Sequence, residues 1–321
     1  MGDDIRKYYI NNKDRYLIWT YLGVPIKSFP AIFEHLEKFQ PQLEARQDQG
    51  KHWWELRACS YYDKFDAPKI IYPDIAMSPR FTFDKEALYL DMTAFCIPGA
   101  DFYLLSLLNS RLLFRVLSEF APSLGDMNKG GRLRMKTVYV KKLPILKISF
   151  TTPKKEREKL TKSLIKQAGT VLGSIERETA DEHIQRELQP VIALAKSYSE
   201  SKNDILHDFL ASLAEQMLAM NKEKQKLAND FFEWMGHYGV PPRETMKPKT
   251  GLDAFWKLEF KNLLAHLKRN KVAISTGTQD DLLARFTEAS TALKILDKQI
   301  ESTDWLIDQV VYALYGLTKE E

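Results

Sequence analysis

The sequence has few of the features that mark secreted, membrane-spanning or metal-binding proteins. Only two of its 321 residues are cysteines, Cys59 and Cys96, so no disulfide framework is available and the chain suits a reducing compartment. It contains no run of about 18 apolar residues of the kind that spans a bilayer. Its first residues lack the apolar segment of a signal peptide. We therefore expect a cytoplasmic protein without a membrane association.

Signatures of common catalytic and cofactor sites are also missing. The six histidines are scattered without metal-ligand spacing. No Gly-x-Ser-x-Gly elbow, Walker A loop or Gly-x-Gly-x-x-Gly fingerprint occurs. Glu-x-Lys, part of one nuclease signature, occurs at Glu200/Lys202 and Glu259/Lys261, which is no more often than chance predicts. We therefore predict no catalytic residue, no metal site and no cofactor site in this chain.

Composition and charge point to a folded protein with one basic region. Hydrophobic residues make up 44% and aromatic residues 12% of the chain, which excludes a mainly disordered state. The net charge of +4 divides into +5 for residues 1–150 and −1 for residues 151–321. Within the first part, residues 123–147 hold seven basic side chains and one acid, Asp126. Such a local excess of positive charge is typical of a surface that binds phosphates.

Residues 1–150 are predicted to form a mixed α/β domain. Short segments rich in β-branched and aromatic residues indicate strands at Lys69–Pro73, Phe81–Phe83 and Thr137–Val140. Between them, apolar residues at helical spacing predict helices over residues 29–44 and 102–120. The chain as a whole is therefore predicted to be an α+β protein.

Residues 151–321 are predicted to form a mainly α-helical domain. Thr152 is positioned to cap its first helix, and Pro153 suits that helix's first turn. Apolar stripes run through residues 205–235 and 282–314, the second with a 3.5-residue period over more than 30 residues. The intervening prolines and glycines allow two long, coiled-coil-like helices to fold back antiparallel, each spanning about 45–50 Å. The stripes are expected to be packing seams within the chain, and self-association through the outer helix faces stays open.

The strongest binding signal is a glycine-broken basic segment at 123–136. Arg132, Arg134 and Lys136 alternate, so on a strand they share one face, and Lys129 precedes the Gly130-Gly131 turn. Such a face can contact DNA phosphates through lysine and guanine edges through arginine. The alternative is a solvated hairpin edge, since charged side chains protect edge strands from aggregation.

A few basic residues outside this segment are further DNA-binding candidates. They are Arg57, Lys69, Arg80 and Lys141. Arg57 follows Trp53 and Trp54, and such side chains together can stack on bases or clamp a nucleic-acid backbone. The alternatives are that one of these tryptophans belongs to the core and that Arg57, Lys69 and Arg80 form ordinary ion pairs.

Seven short motifs, in order, resemble one family. They are Gly2-Asp-Asp-Ile-Arg-Lys-Tyr, Tyr16-Leu-Ile with Phe29-Pro-Ala-Ile-Phe-Glu-His-Leu, Trp53-Trp-Glu-Leu-Arg, Pro68-Lys-Ile-Ile-Tyr-Pro-Asp, Arg80-Phe, Tyr103-Leu-Leu-Ser-Leu-Leu-Asn-Ser-Arg and Tyr139-Val-Lys-Lys-Leu-Pro-Ile. Together they resemble the TaqI-like C-terminal specificity domain. That domain is the target recognition part of adenine-N6 DNA methyltransferases and of fused type IIG restriction–modification enzymes. The chain end, residues 302–321, is similar to the helical tail of those enzymes.

The resemblance implies a DNA target recognition domain at 1–150 and a helical spacer or docking domain at 151–321. In that family, a domain that binds S-adenosylmethionine carries a Phe-x-Gly-x-Gly loop and an Asn-Pro-Pro-Tyr motif, and neither motif occurs here. The resemblance thus implies double-stranded DNA and a methyltransferase or restriction catalytic domain as partners, with S-adenosylmethionine bound by that missing domain. A truncated chain, a split-gene product and a stand-alone subunit all remain open.

Two other classes of function stay as alternatives. The long helices could serve a protein-interaction scaffold without DNA specificity. A methyltransferase or nuclease acting alone is disfavoured by the missing motifs.

Overall fold

A computed structural model describes residues 2–11, 15–126, 129–247, 249–272 and 274–317. The strands are β1 (Ile5–Arg6), β2 (Tyr9–Ile10), β3 (Lys69–Pro73), β4 (Ile75–Ala76), β5 (Thr82–Asp84), β6 (Ala94–Pro98), β7 (Ser123–Leu124) and β8 (Arg132–Arg134). The helices before residue 150 are α1 (Pro30–Glu37), α2 (Gln40–Glu44), α3 (Asp63–Asp66), α4 (Phe102–Leu108), α5 (Arg111–Ser118) and α6 (Thr137–Val140). Those after it are α7 (Lys154–Gly173), α8 (Asp181–Tyr198), α9 (Asn203–Gly236), α10 (Lys249–Leu252), α11 (Phe260–Arg269) and α12 (Thr276–Leu314). The protein is α+β, as predicted, and no helix within these ranges is long and apolar enough to cross a bilayer.

Three small antiparallel sheets organise the first part. β1 pairs with β2, β3 lies between β5 and β6, and β8 lies between β4 and β7. β3 is the predicted strand Lys69–Pro73, and all five of its residues are buried. Because β4 follows β3 after a single residue, the second and third sheets are directly connected.

The predicted strand at Thr137–Val140 is wrong, because this segment forms the one-turn helix α6. The amides of Tyr139 and Val140 donate to the carbonyl of Lys136, at 2.9 and 3.1 Å. β-branched residues favour a strand where a neighbouring strand can pair with them. Here the chain leaves the sheet after β8, and Val140 is buried from a helical turn instead.

The predicted helix over residues 102–120 is broken into α4 and α5 at Asn109 and Ser110. The Asn109 amide group bonds to both the N–H and the carbonyl of Phe81, at 3.0 and 2.9 Å. The Ser110 hydroxyl accepts from the amide of Leu113 at the start of α5. The break therefore holds β5 against the helices. The predicted helix over residues 29–44 is similarly divided into α1 and α2.

The long helices are present, but the helix cap predicted at their start is wrong. Helix α7 begins at Lys154 with Pro153 as its N-cap. Thr152 is buried, and its amide and hydroxyl both donate to the carboxylate of Asp204 at 2.8 Å. Thr152 therefore ties the start of α7 to the start of α9.

Helices α9 and α12 run antiparallel. Lys224 forms an ion pair with Asp297, whereas Met217, seven residues earlier, lines a cleft together with Asp304, seven residues later. The helices contain 34 and 39 residues, or about 51 and 58 Å at 1.5 Å per residue. Whether their packing is a coiled coil stays a prediction.

The described residues form two large hydrophobic cores and a small third cluster around Ile71. The larger joins both predicted domains, since Tyr72 and Leu107 belong to the same buried cluster as Phe209 and Val310. The smaller surrounds Phe255 at the far end of the long helices. The division near residue 150 stays a prediction, and the larger core runs across it.

Candidate nucleic-acid interface

The basic segment at 123–136 forms a hairpin of β7 and β8. Strand β8 is flanked on both sides: Leu133 lies opposite Ser123 of β7 and opposite Ala76 of β4. Leu133 and Met135 are completely buried. Since side chains alternate along a strand, Arg132 and Arg134 project to the other face, where Arg132 is exposed and Arg134 half-buried. We call Arg132, Arg134 and the exposed Lys136 the arginine face.

The hairpin loop has a backbone that needs glycine. Gly125 and Gly130 have φ angles of +86° and +83°, in the left-handed region that other residues rarely adopt. The carbonyl of Asp126 accepts the amides of Lys129 and Gly131, at 2.9 and 2.8 Å. The side chain of Lys129 is 84% exposed at this tip, with its Nζ 3.9 Å from the Asp126 carboxylate. The loop therefore has a defined shape on either side of residues 127 and 128, which lie outside the described residues.

The charges of the arginine face are largely uncompensated. Arg132 and Lys136 form no ion pair within the described ranges of the chain. Arg134 has its guanidinium 3.8 Å from the carboxylate of Asp74. At that distance the attraction between these two half-buried groups is weak, of the order of 1 kcal/mol. An anionic partner therefore meets at least two unpaired cations and one loosely paired cation.

Arg57 lies elsewhere, in a lobe of aromatic residues. This aromatic lobe comprises residues 15–62, where Trp19 contacts Tyr21 and Tyr62 at ring-centroid distances of 5.5 and 5.8 Å. Arg57 is exposed and pairs with Asp48 at 3.2 Å, as the ion-pair alternative predicted. Trp53 and Trp54 are both half-buried, so neither is fully enclosed in a core. The ring of Trp54 stacks on that of His52, with 4.5 Å between the ring centroids.

A buried carboxylate that the sequence analysis missed organises this lobe. Glu55 is only 1% exposed, and its Oε atoms accept from the amides of Gly23, Lys51 and His52 at 2.9, 2.7 and 3.1 Å. Desolvation acts to raise the pKa of Glu55, but these three backbone hydrogen bonds lower it below its ordinary value. The sequence around Glu55 does not indicate that this side chain is a buried acceptor, because its partners are backbone amides, which every residue except proline has.

Lys69 does not fit the phosphate contact expected from its sequence position. Its side chain has no exposed surface and forms an ion pair with the equally buried Asp84, its neighbour across β3 and β5. Its Nζ also donates to the carbonyl of Phe65 at 2.6 Å. Lys69 therefore acts as a cross-strand structural cation and has no surface to offer to DNA.

The remaining candidates, Arg80 and Lys141, lie outside the hairpin. Lys141 is exposed directly after α6, with its amide donating to the carbonyl of Thr137 at 3.0 Å. Arg80 is half-buried in a cleft that Arg6 also lines. The sequence analysis predicts a DNA contact for Arg80 but not for Arg6, which belongs to the first family motif. No signal in the sequence joins these two arginines, since they are 74 positions apart.

Of the eight candidates, three lie on the hairpin and a fourth follows it directly, as the N-cap of α6. They are Lys129, Arg132, Arg134 and Lys136. Met77, just after β4, lies against the hairpin turn. Its Cε is 3.6 Å from the position that a Cβ would occupy on Gly130. The chain then continues from Met77 to Arg80, so this segment connects the hairpin with the Arg80 cleft.

Comparison with protein families finds two matches. Residues 1–145 match the TaqI-like C-terminal specificity domain, the family that the sequence motifs resemble. Residues 199–311 match a domain of unknown function, DUF8810, which covers α9 to most of α12. The first match includes the hairpin, the aromatic lobe and Arg80, whereas the helical wall of the Arg80 cleft, with Asn221 and Glu301, belongs to the second.

Proposed function

We propose, from the premise that residues 1–145 are a TaqI-like C-terminal specificity domain, that this chain recognises a DNA target for an adenine-N6 methyltransferase or a restriction enzyme. The arginine face would enter the major groove, with Arg132 and Arg134 reading guanine edges and Lys129, Lys136 and Lys141 contacting phosphates. Arginine suits this role because its planar group donates two hydrogen bonds to O6 and N7 of guanine.

The observation that carries the proposal is the geometry of β8. A strand paired on both sides is held in place, so its outward arginines have a fixed spacing and direction. Alternate residues on a strand lie about 6.6–6.8 Å apart. At its Arg132 end, β8 pairs with β7 alone, and such a two-stranded ribbon fits the major groove of B-DNA, which is about 12 Å wide. The glycine-dependent turn then presents Lys129 at the tip, where it would meet the backbone. The aromatic lobe would supply a second, less specific contact through Arg57.

Catalysis is assigned to a partner. That partner, a separate or deleted catalytic domain, would hold S-adenosylmethionine and take the adenine out of the DNA stack. No residue of this chain is proposed to bind the cofactor. The helices α7 to α12 would support the recognition domain and offer the surface on which such a partner docks.

Fluorescence anisotropy with a labelled random-sequence duplex tests the proposal. Wild-type protein should bind with an affinity that falls steeply as salt rises, because each phosphate contact adds about 0.9 to the slope of log K against log salt. Arg132→Ala/Arg134→Ala should weaken binding. The matched control is Arg177→Ala/Arg186→Ala, which removes the same charge from exposed arginines of the helical part. Equal binding by the two double variants would refute the role of the arginine face, and salt-insensitive or absent wild-type binding would refute DNA binding itself.

The scaffold alternative receives less support from the same structure. The apolar stripes of α9 and α12 face the interior of one chain, with Phe209, Leu213, Leu293 and Val310 all fully buried. A surface for another helix would have to use other faces. A stable dimer in light scattering together with no DNA binding would favour the scaffold over the recognition role.

A further inference from the structure

A cleft of about 330 Å³ lies where the β1–β2 hairpin meets the two long helices. Arg6 comes from the hairpin, Ser78 and Arg80 from the segment before β5, Asn221 from α9, and Glu301 from α12. This position joins the specificity domain to the helical part. We call it the Arg6–Arg80 cleft.

The backbone around the cleft is firmly held. The residue after Arg80, Phe81, has both its N–H and its carbonyl bound by the Asn109 amide group. The same carbonyl accepts the amide of Tyr8 at 3.0 Å. Tyr8 has a φ angle of +63° and a completely buried side chain, so the turn that follows Arg6 is anchored in the core. Both arginines therefore extend from rigid backbone.

The two arginines face the cleft without a carboxylate partner of their own. Arg80 makes no hydrogen bond or ion pair within the part of the chain that the structure describes. Burial, followed by the neighbouring charge of Arg6, lowers the pKa of Arg80, while Asp3 opposes this effect. The guanidinium of Arg6 donates to the main-chain carbonyls of Asp3 and Ile5, which carry no net charge.

Two acids also line the cleft, and among the described residues neither forms an ion pair with Arg6 or Arg80. Asp304 forms an ion pair with Lys7, with a hydrogen bond of 2.6 Å. Glu301 is exposed at the rim. The described lining therefore carries three cations, two of them arginines whose charges oppose each other, against two acids. An anion that contacts both guanidinium groups relieves this repulsion.

The cleft lies beside other surface that a larger anionic molecule could contact at the same time. A second cleft of about 370 Å³ shares Arg6, Tyr9 and Asn221 with the first, so the two clefts adjoin. In the other direction, Arg80 connects through Ser78 and Met77 to the hairpin of the arginine face.

We propose that the Arg6–Arg80 cleft binds a phosphate of the DNA backbone, bridged by the two guanidinium groups, beside the site that reads the bases. The inference rests on the proposed function and adds to it a phosphate contact at the junction with the helical part. The binding of DNA is thereby coupled to the position of α9 and α12.

The test measures duplex binding by Arg6→Gln and Arg80→Gln over a range of salt concentrations, with Arg177→Gln as the matched exposed control. Each cleft variant should lower the salt slope by about one and the affinity by about three- to tenfold. Ser78→Glu leaves both arginines in place and adds a carboxylate at the exposed rim, so it should weaken binding even if an arginine variant folds poorly. Thermal unfolding compares the folding of all variants.

The outcomes separate the two proposals. If the cleft variants and Ser78→Glu bind like Arg177→Gln while Arg132→Ala/Arg134→Ala binds weakly, the cleft proposal is refuted and the recognition proposal stands. A melting temperature that inorganic phosphate raises in wild type but not in Arg80→Gln, with unchanged duplex binding, would also refute it, by showing a site for free phosphate. Absence of wild-type DNA binding refutes both.

Discussion

The buried pair of Lys69 and Asp84 gives a prediction that separates a structural lysine from a DNA-binding one. Both side chains have no exposed surface. In Lys69→Met the Asp84 carboxylate keeps its bonds from the amides of Glu86 and Leu88, at 2.8 and 2.9 Å, but loses its cation. Leaving one partner of a buried pair alone costs about 3–5 kcal/mol. That is a large part of the 5–15 kcal/mol typical of a folded protein.

Urea unfolding followed by circular dichroism measures this loss. For a slope of about 2–3 kcal/mol per molar, the midpoint should fall by roughly 1–2 M. In contrast, the salt slope of duplex binding should stay at its wild-type value, because Lys69 cannot reach a phosphate. The matched control is Lys129→Met at the exposed hairpin tip, which should change stability by less than about 0.5 kcal/mol and lower the salt slope by about one. A Lys69→Met protein of wild-type stability with a reduced salt slope would refute the reasoning.

Three further predictions follow from buried ionisable groups. Burial acts to lower the pKa of His207, but the carboxylates of Asp101 and Asp208 raise it above the ordinary value. The stability that the His207 imidazolium contributes should be complete below about pH 6.5 and lost as pH rises through the folded pKa. Unfolding free energies of wild type and His207→Gln should therefore converge from pH 6 to 8, and a constant difference would contradict this. Desolvation raises the pKa of Asp308 to about 6, so the unfolding free energy of wild type should fall as the pH rises from about 4 to 6. Over that range the unfolding free energy of Asp308→Asn should rise relative to that of wild type, and parallel pH profiles would refute the assignment. Glu55→Ala removes the acceptor of three part-buried amides, at about 0.5–1.5 kcal/mol each. Hydrogen exchange should therefore rise in the aromatic lobe and not in α9, whereas exchange that rises equally in both would exclude a local role.

Much of the fold could be predicted from local patterns. The strand at Lys69–Pro73 and the two long antiparallel helices depend on apolar spacing that the sequence displays directly. The hairpin was predictable too, because glycines and alternating basic residues stand next to one another. Motif order also led to the family of residues 1–145.

The errors arise where a residue's partner is distant in sequence. The sequence predicts a phosphate contact or an ordinary ion pair for Lys69, yet Asp84 on a neighbouring strand makes its complete burial favourable. Thr152 has the chemistry of a helix cap, but Asp204 takes its hydroxyl instead. The segment Thr137–Val140 has strand-like composition and no strand to pair with. Arg6 escaped notice because only the folded chain brings it to the cleft of Arg80.

Site-specific photo-crosslinking to DNA tests the central claim most directly. A benzophenone amino acid is placed at Met77, which is 51% exposed beside the hairpin, and at Tyr238, which is 40% exposed at the far end of α9. Illumination with a labelled duplex should yield a crosslinked product at Met77 and none at Tyr238, and the Met77 product should disappear when Arg132 and Arg134 are replaced by alanine. Crosslinking at Tyr238 but not at Met77 would contradict the proposal that the arginine face binds DNA.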